Sequence, residues 1–105
     1  MDQTPSLPPF DSQPHPTTPD GLCRLGSEYL ERVQLSDAIF ALRLAIKMDP
    51  ANPQAHFLLG EVYAEKENLG GAMREYRQAV DADPTYAEAY FALAWALEKQ
   101  GNTHD

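Results

Sequence analysis

Residues 53–86 read PQAHFLLGEVYAEKENLGGAMREYRQAVDADPTY, and they decide the fold because they repeat a pattern found 34 positions earlier. Gly60 answers Gly26, Tyr63 answers Tyr29 and Ala72 answers Ala38; Tyr76 answers Leu42, Ala79 answers Ala45 and Pro84 answers Pro50. Between Gln54 and Lys66 the apolar residues Ala55, Leu58, Leu59, Val62 and Tyr63 recur at three- and four-residue steps, the mark of an amphipathic helix. Glycine inside a helix costs roughly 1 kcal/mol against alanine, so Gly60 points to a neighbouring helix that approaches its backbone closely. Ala72 and Ala79, seven apart on the helix that follows, supply the matching shallow groove. Pro84 disfavours helical geometry at Asp83, so that second helix stops near Ala82.

A period of 34 carrying Leu59-Gly60, Tyr63, Ala72, the aromatic Tyr76, Ala79 and Pro84 resembles the tetratricopeptide repeat, a helix-turn-helix unit. The resemblance implies an all-α fold, a solenoid of helical hairpins forming a segment of a right-handed superhelix. Residues 19–52 are then the first repeat and 53–86 the second. Residues 87–100 restart the pattern, with Tyr90, Leu93, Ala94 and Leu97 standing 34 after His56, Leu59, Gly60 and Tyr63, and serve as a terminal capping helix, the fifth. Residues 101–105 form a C-terminal tail. Asp20 and Gly21 are expected to cap the first helix, and Asn68 the fourth. Three positions depart from the family pattern: Leu22 and His56 stand where a bulky Trp is usual, and Glu67 where Gly often closes the turn between helices.

A chain of 105 residues is at most one domain. A formal charge of −8 argues against nucleic acid, whose phosphates need clustered Lys and Arg, and disfavours an anionic membrane surface. The single cysteine, Cys23, excludes an internal disulfide and a cysteine-based zinc cluster. No apolar run approaches a membrane span and the N-terminus lacks a secretory signal, so a cytoplasmic location without membrane insertion is expected. Residues 1–18 carry Pro5, Pro8, Pro9, Pro14 and Pro16, with Leu7 and Phe10 as the large apolar side chains. This composition predicts a disordered or extended tail whose removal leaves stability unchanged. The alternative is a short motif, Leu7-Pro8-Pro9-Phe10, that docks as polyproline II in an aromatic-lined groove.

Nothing in the sequence has the spacing that chemistry needs. His15, His56 and His104 do not form a ligand pair on one helix, and no Gly-rich phosphate loop or nucleophile-base pattern is present. His56 is read as an interface histidine and Cys23 as a small packed side chain. The expectation is a protein that is not an enzyme and holds no cofactor and no metal.

In the family the first helix of each repeat lines a concave groove that receives a peptide or helix of a partner protein. By that resemblance the lining here is Ser27 and Leu30 from the first repeat, Phe57, Leu58, Glu61 and Glu65 from the second, and Glu88, Phe91 and Trp95 from the last helix. The groove is aromatic and acidic. Phe57, Leu58, Phe91 and Trp95 lie off the face set by Gly60 and Tyr63, which leaves them free to bind; the alternative for Phe57 and Leu58 is partial burial by neighbouring helices. Some family members clamp acidic chaperone tails with basic and amide side chains. The corresponding positions here hold Cys23, Ser27, Leu58, Glu88 and Ala92, so no such tail is expected to bind. The function implied is a non-catalytic adaptor or scaffold taking an apolar or amphipathic, partly basic segment. The alternative is a structural subunit that forms a weak homodimer through Ala89, Leu93 and Ala96, placed where a following helix would lie.

Overall fold

The computed structural model describes residues 5–12 and 14–101. The expectations that concern residues 1–4 and 102–105, His104 among them, lie outside the described residues. Five α-helices follow one another: α1 (Pro19–Glu31), α2 (Leu35–Met48), α3 (Pro53–Glu65), α4 (Leu69–Ala82) and α5 (Ala87–Gly101), preceded by a short 3-10 turn at Phe10–Ser12. There is no strand among the described residues. Each of α1 and α3 starts with a proline in its first turn, where the missing N–H costs nothing. Thr18, not Asp20 or Gly21, caps α1, its hydroxyl accepting from the Gly21 amide at 3.1 Å. Asn52 caps α3 through the Ala55 amide, and Asn68 caps α4 through the Gly71 amide.

The helices form two antiparallel hairpins, α1–α2 and α3–α4, stacked side by side, with α5 lying against α4. The extents of 45 × 36 × 18 Å describe a slab, thin in one direction because each hairpin is a single layer of paired helices. The glycines set the spacing inside each hairpin. A Cβ on Gly26 would lie 2.6 Å from Leu42 Cδ2, and one on Gly60 would lie 2.6 Å from Tyr76 Cε1. The pairing of Gly26 with Leu42 and of Gly60 with Tyr76 is the close approach that the 34-residue period predicts.

The turns inside the two hairpins are the same device. Val33 and Glu67 adopt left-handed backbone, with φ of 57° and 61°. After each, the amide of Gln34 or Asn68 reaches back to the carbonyl of Tyr29 or Tyr63, and the Val33 and Glu67 amides bond Leu30 and Ala64. This is the Schellman arrangement, which satisfies the orphan carbonyls at a helix end.

The main core runs through α1, α2 and α3 and includes Leu22, Cys23, Tyr29, Leu42, Leu58 and Val62. It extends to the N-terminal segment: Phe10 is buried, and Leu7 packs against the same cluster. The segment expected to be a free tail is thus extended but docked, since Phe10 and Leu7 find apolar cover on hairpin α1–α2. Its removal is now expected to destabilise the chain. No helix among the described residues is long and apolar enough to cross a membrane.

Candidate functional site

Between α3, α4 and α5 lies an open cleft of about 740 Å³. Phe57, Glu61, Ala64 and Glu65 line it from α3, Glu67 from the turn, Tyr76 from α4, and Glu88, Phe91, Ala92 and Trp95 from α5. Six residues that the resemblance assigns to a groove therefore meet here: Phe57, Glu61, Glu65, Glu88, Phe91 and Trp95. The other three stand elsewhere. Leu58 is buried in the core of α1, α2 and α3, and Leu30 packs half-buried against that core. Ser27 is half-buried on α1, away from the cleft.

The aromatic side chains divide into two kinds. Phe57 is not free: its ring centroid lies 5.9 Å from that of Tyr76 and 5.3 Å from that of Tyr86, so it forms the floor of the cleft. Phe91 and Trp95, by contrast, are 79% and 44% exposed, one turn apart on α5. Lys99 lies over the Trp95 ring at 5.8 Å. Four carboxylates, Glu61, Glu65, Glu67 and Glu88, surround these rings, and among the described residues no cationic side chain lines the cleft.

Tyr76 was invisible as a lining residue because it belongs to a second helix of a repeat, outside the positions that carry the family groove. The ring passes through the slot left by Gly60, and its hydroxyl donates to Glu61 Oε2 at 2.8 Å. Burial and this carboxylate both raise the Tyr76 pKa. Tyr86, beneath Phe57, is pushed up to about 12 by burial and by neighbouring negative charge, chiefly Glu88. Both phenols therefore stay neutral donors at any physiological pH. The Cys23 thiol, packed 3.8 Å from Asn52 Oδ1, is raised to about 11 by burial, so it stays protonated and unreactive.

Behind the cleft, His56 joins α3 to α4. Its Nδ1 lies 2.8 Å from Glu75 Oε1, and its Nε2 lies 2.8 Å from the Pro50 carbonyl. Both partners are acceptors, so the doubly protonated ring is the form that satisfies both, and the pKa is raised, first by the Glu75 hydrogen bond. This agrees with an interface histidine. No cluster of three or more His, Cys, Asp or Glu suited to a metal occurs among the described residues.

The strip assigned to self-association is turned inward. Ala89 and Ala96 are fully buried and Leu93 is partly so, all against α4, where their small size lets the helices approach. The expected position facing a following helix belongs instead to Tyr90, Ala94 and Leu97, which are exposed.

Comparison with known proteins places this geometry in context. A family model described as Tetratricopeptide repeat matches residues 23–87, and another of the same description matches residues 75–105. The crystal structure of MamA superimposes with a TM-score of 0.76 at 27% identity, covering 81% of this chain and 50% of that one. A second crystal structure of MamA protein, at 24% identity and a TM-score of 0.71, covers 79% and 45% and shows the same fold. The chain thus spans about half the length of these structures. No curated protein matches it. With the hairpins, their glycine slots and the family match in agreement, the chain belongs to the tetratricopeptide repeat family.

Proposed function

We propose that this protein is a non-catalytic adaptor whose cleft between α3, α4 and α5 binds an apolar or amphipathic, partly basic segment of a partner protein. Tetratricopeptide repeats are protein-interaction modules, which supports the general role. The observation that carries the specific reading is the cleft itself: Phe91 and Trp95 stand exposed beside four carboxylates, with no cation among the described residues lining the space. Exposed aromatic anchors supply binding energy when desolvated, and carboxylates steer a basic chain toward them. An acidic tail would meet like charge at Glu61, Glu65, Glu67 and Glu88.

Selection from a random peptide library displayed on phage tests this directly. Peptides combining Lys or Arg with Leu, Phe or Trp are expected, and Trp95→Ala should weaken them by about 2 kcal/mol while leaving helicity intact. Enrichment of acidic peptides, or binding indifferent to Trp95→Ala, would sink the reading. The self-associating subunit is the second reading, carried now by Tyr90 and Leu97, 47% and 43% exposed on the outer face of α5. Sedimentation showing only monomer at hundreds of micromolar removes it.

A further inference from the structure

The N-terminal segment is held by polar side-chain groups of α1, the turn after it and α2, and the way it is held is selective. The Leu7 amide donates to Gln34 Oε1 at 2.7 Å, and Gln34 Nε2 donates back to the Leu7 carbonyl at 2.9 Å, a two-way clasp on one residue's main chain. The Tyr29 hydroxyl donates to the Pro8 carbonyl at 2.6 Å, and Arg32 Nε donates to the Pro5 carbonyl at 2.8 Å. The Phe10 amide donates to Asp37 Oδ1 at 2.9 Å. Pro8 and Pro9 have no N–H to satisfy, so the polar main-chain groups of Leu7 and Phe10 that face the body are met by fitted partners. Apolar specificity comes from Leu7 packed on the core and Phe10, buried with its ring stacked on His15 at 4.5 Å and on Phe40 at 6.5 Å.

Comparison with the second hairpin shows that this site is not a by-product of the repeat. At the equivalent position, 34 residues on, Asn68 caps α4, whereas Gln34 makes no cap hydrogen bond to α2 and spends its amide on Leu7. Arg32 and Asp37 answer Lys66 and Gly71, which hold no such segment. We propose that Tyr29, Arg32, Gln34 and Asp37 form a second peptide-docking site, separate from the cleft, for an extended segment of the type Leu-Pro-Pro-Phe. The chain's own residues 5–12 fill it in cis. Prolines hold such a segment near its bound shape, so little ordering entropy opposes docking. When the cis segment is withdrawn, the same sequence supplied in trans takes its place.

The test uses the full chain and a fluorescently labelled octapeptide with the sequence of residues 5–12. Phe10→Ala should loosen the cis segment, so the peptide should bind this variant at least about tenfold more tightly than wild type, in which the tethered copy competes at high effective concentration. Adding Gln34→Ala to the variant should cost about tenfold in peptide affinity, and an octapeptide with Ala in place of Phe should not bind. Should Phe10→Ala fail to fold, the milder Phe10→Leu serves the same arms. Slow exchange of the Leu7 and Phe10 amides in wild type, lost in Gln34→Ala, is expected in either case. No peptide binding to a folded Phe10 variant up to millimolar concentration, equal binding of the Phe-less peptide, or unprotected Leu7 and Phe10 amides would each overturn the proposal.

Discussion

Hairpins α1–α2 and α3–α4 share one plan, yet two pairs of positions that are apolar or small in the first are polar in the second. Leu22 and Ala41, both buried in the first hairpin, become His56 and Glu75, hydrogen-bonded at 2.8 Å in the second. Ser27 and Leu42 become Glu61 and Tyr76, again hydrogen-bonded at 2.8 Å. The tyrosines shared by both hairpins also diverge: the Tyr29 hydroxyl holds the N-terminal segment, while the Tyr63 hydroxyl accepts from Arg43 Nη2 at 2.8 Å. The slot and the turn are thus fixed by the backbone, and what fills them is free to vary. The first hairpin spends that freedom on an apolar core closed by residues 5–12. The second spends it on polar pairs, of which Glu61 and Tyr76 reach the cleft while His56 and Glu75 lie behind it.

The largest effect is expected from breaking the slots. A side chain at Gly60 must displace the Tyr76 ring and also faces the Ala72 carbonyl at 3.3 Å, whereas at Gly26 the three nearest atoms all belong to the Leu42 side chain. Gly60→Leu should therefore cost about 3 kcal/mol by overpacking. Alanine sharpens the contrast, because its better helix propensity returns about 1 kcal/mol at each site. Gly26→Ala should come out near neutral and Gly60→Ala clearly destabilised in urea denaturation. Equal costs would show that the ring of Tyr76 yields as readily as Leu42.

Next in size is the N-terminal segment. Phe10→Ala should destabilise the chain by about 2 kcal/mol, short of the loss from a central core site because Phe10 packs at the edge. Hydrogen exchange should locate that loss in α1 and α2 and leave α4 and α5 unchanged. A uniform loss would mean that the two hairpins unfold as one unit.

How far the sequence reaches follows from these same residues. Helix number, hairpin pairing and the glycine slots were legible because the period of 34 ties each to a backbone demand that recurs. The cleft was legible in part: Phe91 and Trp95 are large side chains on a helix face that the repeat does not pack. Leu58 and Phe57 are not free, because helical periodicity gives the direction of a side chain and not the distance to its neighbours: hairpin α1–α2 covers Leu58, while Tyr76 and Tyr86 brace Phe57. Ala89 and Ala96 were placed on the wrong side for a similar reason, since a small residue marks close approach without saying to which neighbour. The docking of Leu7 and Phe10 carries no periodic signal at all; it depends on Gln34, a residue with no pattern around it.

A smaller effect distinguishes the hairpins by pH. The folded state raises the His56 pKa above its ordinary 6.5 through Glu75. A raised pKa contributes stability that is fully present below pH 6.5 and is lost as pH rises through the folded value. Arg43, Lys47 and Arg74 border the same hollow and oppose the charge, so the effect should be modest, about 1 kcal/mol, the scale of one hydrogen bond. His56→Leu, which copies Leu22 of the first hairpin, should flatten the dependence of melting temperature on pH between 6 and 8. An unchanged slope would assign that dependence to another group.

The finest test lies in the turns, where the two hairpins are most alike. Val33 and Glu67 both hold left-handed backbone, which costs an L-residue about 1–2 kcal/mol, and the branched Cβ of Val places it at the upper end. Glycine removes that strain but adds about 0.5–1 kcal/mol of backbone entropy lost on folding. Val33 is 63% exposed, so little buried apolar area is forfeited by the change. The balance predicts that Val33→Gly stabilises by about 1 kcal/mol, while Glu67→Gly gains about half as much. The order matters more than the size, because both turns carry the same backbone hydrogen bonds and each substitution removes only the strained side chain. If Glu67→Gly gained as much as Val33→Gly, the strain would be a property of the backbone turn alone, and the branched side chain would contribute nothing to the difference between the hairpins.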